Sequence, residues 1–202
     1  MRKPQIPNPE SQITKRASPL LLGFRVWVWV WGFGIWGLGF GLSASAQITR
    51  EEALAGVYPN AAIRAEQVFL TPTQQKQALT QADADVPSAL VARYVAMKDG
   101  KVIGRAYVDT HTVRTKKESL LISLDDKGQV LRIDVTAFNE PPEYRASEAW
   151  LRQYRGKPLS DDLAINRAIR PIAGATLTAR ETNGAVRRVL AIDAVLSAGD
   201  PR

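Results

Sequence analysis

The chain has no cysteine in its 202 residues. That absence excludes disulfides, cysteine-bound zinc, iron–sulfur clusters and thioether-linked haem. Histidine is almost missing as well: His111 stands alone, and one histidine without cysteine argues against a nucleophilic triad or a zinc site. No G-x-S-x-G elbow, H-E-x-x-H pair or phosphate-binding G-x-x-x-x-G-K-S/T loop occurs, and beyond residue 46 there is no G-x-G-x-x-G, so hydrolase and nicotinamide-dependent readings lack their fingerprints. The paired acids Asp125-Asp126 and Asp161-Asp162 read as turn and helix-start residues rather than as an acid/base couple. Redox chemistry in such a chain has to come from a borrowed cofactor.

Acidic excess is lacking too, and the basic excess is misleading. The formal net charge is +7, but Arg2, Lys3, Lys15, Arg16 and Arg25 against the single acid Glu10 put four of those charges in residues 1–46, leaving three for the rest. A nucleic-acid partner is therefore not indicated. The same first 46 residues hold four of the five tryptophans, in "LLLGFRVWVWVWGFGIWGLGFGL", and close on the small residues "ASA". A basic start, an apolar middle and a small-residue end read as a secretory signal peptide, with an N-terminal membrane anchor as the alternative. The protein is then periplasmic, or tethered to the membrane and facing the periplasm.

With 45% hydrophobic residues there is ample material for one core. Residues 47–84 read as an N-terminal helix and strand extension. "ITREEALAGVYP" begins with Thr49 and has Glu52 three places on, and "TPTQQKQAL" pairs Thr71 with Gln74 behind Pro72; both are reciprocal caps that start helices. "AIRAEQVFL" between them predicts a strand. From residue 85 to 198 a second segment follows, opening with the strands "LVARYVAM", "KVIGRAYVDT", "ESLLISLD" and "QVLRIDVTAF". The joins at Asp99-Gly100 and Asp126-Lys127-Gly128 are tight-turn chemistry and predict antiparallel hairpins. In the last strand alternation sets Val130, Arg132, Asp134 and Thr136 against Leu131, Ile133, Val135 and Ala137. The fold class is α+β: a twisted antiparallel sheet flanked by short helices, with a C-terminal helix after a Gly-Ala-Thr loop.

Beyond the strands, Pro141-Pro142 ends the ladder, Ser147 caps a helix carrying Trp150, Leu151 and Tyr154, and Gly156 stops it. Ser160 opens another short helix through Leu163, halted at Arg170-Pro171. In "PIAGATLTARETNGAV" Thr178 and Glu181 form a capping box for a final helix through Ala185, Val189, Ile192 and Leu196. That leaves Thr176 just outside the helix, behind a conformationally free Gly174 and a small Ala175. Helix-opening amides beside a hydroxyl make a seat for a phosphate.

The ordered segments "DTHTVRTKKESL", "FNEPPEY", "WLRQYRGKPL" and "IAGATLT" resemble the FMN-binding domain of the covalent-flavin subunits of sodium-pumping NADH:quinone oxidoreductase and Rnf-type complexes. The closest likeness is to small exported stand-alone members, over roughly residues 85–196. What the resemblance implies is an electron carrier rather than a stand-alone enzyme, with FMN joined by a phosphoester to Thr176 by a separate flavin transferase, and redox partner proteins in the membrane or periplasm. It places Gly174, Ala175, Leu177 and Thr178 around the attachment point, and Glu140 with Glu143 in an acidic-proline loop near the flavin. Tyr144 and Trp150 are aromatic candidates to flank the ring, Trp150 being the better core residue. His111 is either a flavin-side proton carrier or a surface residue. Where the family signature has aspartate six residues and serine three residues before the modified threonine, this chain has Arg170 and Ala173. Arg170 is then a phosphate partner or a solvated charge. The competing reading is a flavin-free exported interaction module.

Overall fold

A computed structural model describes residues 48–199; the leader, with its signal-peptide and anchor readings, lies outside the described residues. Five strands, β1 (Ala62–Phe69), β2 (Leu90–Lys98), β3 (Lys101–Thr112), β4 (Lys117–Asp125) and β5 (Val130–Phe138), pair in sequence order as one antiparallel sheet. The fold is α+β. Its hairpins follow from their turn residues. Asp99 and Gly100 both take left-handed φ, of 51° and 73°, as a two-residue hairpin with right-twisted strands demands. At the β4–β5 turn the Asp125 carboxylate accepts N–H bonds from Lys127 and Gln129, closing the loop with its own side chain.

Helices cover both faces. α1 (Arg50–Val57) and α2 (Pro72–Ala82) start at Thr49 and Thr71, each with both halves of the reciprocal cap made. α1 lays Ala53, Leu54 and Tyr58 over Ala96, Ala106 and Leu121. On the opposite face α2 and the 23-residue α4 (Thr176–Ala198) bury Ala78, Ala82, Val186 and Leu190 against Tyr107, Leu120, Ile122 and Val135. Residues 48–84 and 85–198 thus share one sheet and one core. Each large aliphatic side chain taken from water there stabilises by roughly 1.5–3 kcal/mol. No helix among the described residues is long and apolar enough to cross a membrane.

Three local expectations are corrected. In β5 the register shifts opposite Ser123 and Leu124, so a bulge places Val130 with Ile133 and Val135 in the larger core and sends Leu131 toward α1. One extra residue inverts the alternation at that point. Residues 160–170 form turns instead of a helix, joined by a bridge between Ile165 and Ile169. The Ser160 and Leu163 carbonyls there accept from the Arg187 guanidinium, and Asn166 takes a φ of 66°, which interrupts helical winding. The third concerns the start of α4. Ala175 precedes the helix with no side-chain cap, Thr176 is its first residue, and Thr178 is its third, 1% exposed. Thr178 is therefore not the cap: it falls on the stripe continued by Thr182, Ala185 and Val189, all buried, and that stripe draws its side chain inward.

Between β5 and α4, Ser147 caps α3 (Glu148–Leu151) through the Trp150 N–H. A 3-10 turn, Arg152–Tyr154, continues it to Gly156, at a φ of 73°. Trp150 packs edge-on to Tyr154 and donates its indole N–H to the Arg170 carbonyl at 2.7 Å.

Candidate functional site

Three segments far apart in sequence meet at the start of α4. The β3–β4 hairpin tip supplies Val113 and Arg114, the loop after β5 supplies Glu140 and Tyr144, and the turn into α4 supplies Gly174 to Thr178; together they line an open cavity of about 310 Å³. Gly174 has a φ of 77°, and the Ala175 N–H closes the turn on the Ile172 carbonyl at 3.2 Å. That turn delivers the chain into the helix with Thr176 exposed and Ala175 buried.

Helix geometry then leaves donors free. The first bond into α4 is Ala179 N–H to the Ala175 carbonyl, at 3.1 Å, so the N–H groups of Thr176, Leu177 and Thr178 have no acceptor among the described residues. With no side chain capping them, they carry the positive end of a long helix toward the cavity. An anion suits that position.

Opposite this start stands Glu140. Its Oε1 accepts three consecutive backbone N–H groups of the hairpin tip, from Arg114 at 3.2 Å, Thr115 at 2.7 Å and Lys116 at 2.8 Å, and also the Thr115 hydroxyl at 3.3 Å. The Thr115 and Lys116 amides, with that of Arg114, hold its carboxyl below the usual range. Tyr144, 39% exposed, ends the 3-10 turn Pro142–Tyr144 and gives the cavity its aromatic wall.

The cavity thus gathers Gly174, Ala175, Thr176, Leu177, Thr178, Glu140 and Tyr144. His111 is placed elsewhere. Its side chain is 8% exposed, with Nδ1 2.9 Å from Asp109 Oδ1 and Nε2 3.1 Å from Glu118 Oε2, so it is neither a surface residue nor a cavity wall. Arg188 donates to both Asp109 oxygens, at 2.7 and 3.0 Å, and the Thr182 hydroxyl donates to Glu118 Oε2 at 3.2 Å. Burial alone would lower the imidazole pKa, but the hydrogen bonds and charges of Asp109 and Glu118 outweigh it and raise it to about 9. His111 is therefore the cationic centre of a buried ion network. Trp150, Glu143 and Arg170 also stand away from the cavity wall, Trp150 against the core.

Sequence reasoning missed Val113, Arg114 and Glu118. The tip residues sit inside "DTHTVRTKKESL", and the β3–β4 pairing that faces His111 with Glu118 follows from reading that stretch as a hairpin with its turn at 113–116. Three roomier hollows exist among the described residues. One, about 450 Å³, lies between α1, β5 and α3; another, about 610 Å³, lies between α2, residues 161–167 and α4; a third, about 360 Å³, lies between β5 and residues 142–148. None holds the uncapped start of a long helix, and none contains a residue that the sequence singled out for binding. Compared with family models, curated proteins and solved structures, the chain matches none.

Proposed function

We propose that the chain is an exported electron-transfer flavoprotein whose FMN is joined through its phosphate to Oγ1 of Thr176. The observation that carries this reading is an exposed threonine at the first turn of an uncapped 23-residue helix, on a cavity that also holds Arg114, Glu140 and Tyr144. Its residues fit the cofactor's parts. Amides 176–178 and the helix dipole favour the phosphate dianion, Gly174 and Ala175 leave the approach to it clear, and Tyr144 offers a face for a conjugated ring. A cavity of about 310 Å³ is at the small end of the roughly 300–1,000 Å³ typical of small-molecule sites. It suits the phosphate and the polyol chain, and leaves the ring within reach of a redox partner protein.

Attachment requires Thr176 Oγ1 to give up its proton and bond to phosphorus while the bond from that phosphorus to a leaving group breaks. Such a step runs downhill in water from an anhydride such as the pyrophosphate of a flavin dinucleotide, presented by a flavin transferase, the second nucleotide leaving as its monophosphate. When bound, FMN supplies reversible electron transfer, which no side chain of a cysteine-free chain provides. The residues of this chain hold the phosphate, orient the ring and keep it accessible. Export to the periplasm, free or tethered by the leader, rests on residues 1–46.

The test is flavin fluorescence of the fully denatured protein after production in a host that has the transferase. Wild type should fluoresce in the gel, Thr176→Val should be dark, and Thr178→Val, altering a buried position, should keep the signal in whatever protein folds. A fluorescent Thr176→Val moves the bond elsewhere. A dark wild type favours the flavin-free interaction module.

A further inference from the structure

Glu140 poses an electrostatic problem for an anion site. A carboxylate on the wall of a cavity meant for a phosphate should repel it, and this one stands half-buried at the rim. Its bonding removes the difficulty: three successive amides of residues 114–116 converge on one of its oxygens, the arrangement by which a backbone concavity binds an anion. The anion in that concavity is the chain's own side chain. Among the described residues no other hydrogen bond joins residues 113–116 to the loop after β5; just beyond the tip, the Asn139 N–H reaches the Lys117 carbonyl at 3.1 Å. The tip itself is basic, carrying Arg114, Lys116 and Lys117, and Arg114 and Val113 reach the cavity from it.

We propose that Glu140 is a positioning residue: it fastens the β3–β4 hairpin tip to the rim so that Arg114 supplies positive charge to the ligand's phosphate. The assignment rests on the FMN reading above for the identity of the ligand, and on hydrogen bonding alone for the clamp. Glu140 acts through Arg114 and does not touch the flavin. The tip's cationic charges exceed the single carboxylate charge, which its amide partners spread, so the rim attracts a phosphate overall.

Two measurements on the full exported chain test this. Amide hydrogen exchange at residues 114–116, read on unflavinylated protein, reports the clamp. The rate of flavin attachment by the transferase, read by intact mass, reports the phosphate partner. In Glu140→Ala the tip amides should exchange at least tenfold faster and attachment should slow by about tenfold, because hydrogen bonds to a charged acceptor are lost. Glu140→Gln keeps an acceptor oxygen and should recover most of both. In Arg114→Ala attachment should slow by about tenfold while amides 115 and 116 stay protected, and Glu140→Ala/Arg114→Ala together should be about as slow as either alone, since one acts through the other.

Unchanged tip exchange in Glu140→Ala overturns the clamp. A faster-exchanging tip with normal attachment, or additive losses in the double variant, overturns its service to the phosphate. If no protein, wild type included, accepts flavin, the FMN reading fails and takes the phosphate role with it, while the exchange measurement still decides the clamp.

Discussion

At the scale of single residues, the chain places its charges where partners already wait. Glu118 is wholly buried, with His111 and Thr182 on one oxygen and no hydrogen-bond partner for the other among the described residues. Removing His111 strands that carboxylate, and breaking a buried pair in this way costs roughly 3–5 kcal/mol. Gly104 is constrained by space instead of charge. The ring of Tyr58 lies against it, held by its hydroxyl on the Arg105 and Leu124 carbonyls at 2.8 and 2.7 Å, and a Cβ there would collide with the ring and with the Leu124 carbonyl. Gly104→Ala should therefore lower the unfolding free energy by about 2–3 kcal/mol in urea melts, and an unchanged midpoint would contradict that packing. Neither constraint was legible in the sequence. A glycine inside "KVIGRAYVDT" announces some close approach, but which ring approaches is decided by α1, about fifty residues earlier. His111 read as surface or flavin-side because its two carboxylate partners come from different strand positions.

At the scale of elements, legibility followed from how local the cause is. The caps at Thr49 and Thr71 and the Asp-Gly hairpin are made by residues within three or four positions, and the sequence specified them. The start of α4 misled because Thr178 and Glu181 satisfy a local rule that long-range burial overrides: Thr178 continues the buried stripe of Thr182 and Ala185. The site itself was legible as a set of residues, since seven of the residues singled out line one cavity, but the hairpin tip that faces them depends on tertiary closure. α4 also carries a glycine that the packing does not require. A Cβ at Gly184 would meet Ala84 Cβ at 3.9 Å, an ordinary contact, and its φ is not left-handed. Gly184→Ala should stabilise by about 0.5–1 kcal/mol through helix propensity and a smaller unfolded-state entropy, seen as a rise in Tm; a fall would mean that Ala84 and α4 approach more closely than this.

At the scale of the whole molecule, the ion network joins β3, β4 and α4 and makes stability depend on pH. His111 binds its proton more tightly folded, at about 9, than unfolded, at the ordinary 6.5. Its stabilising contribution is complete below about pH 6.5 and is lost as pH rises through 9, an effect of about 3 kcal/mol for a group this well buried. Urea melts near pH 6 and above pH 9 should differ by an amount of this order in wild type, and the difference should shrink in His111→Gln. A wild-type curve flat across that interval would place the imidazole outside the network. A rigid scaffold of this kind, with its sheet covered on both faces and an open cavity at one helix start, suits a domain that holds a cofactor and presents it to others.

The central claim is a covalent flavin on one hydroxyl, and intact mass of the mature protein from a transferase-bearing host tests it most directly. The expected result is a species heavier than the polypeptide by one FMN less one water, with the added mass on the peptide containing Thr176 and missing from Thr176→Val. A mature wild-type chain at the bare polypeptide mass, or an adduct that persists in Thr176→Val, would contradict it.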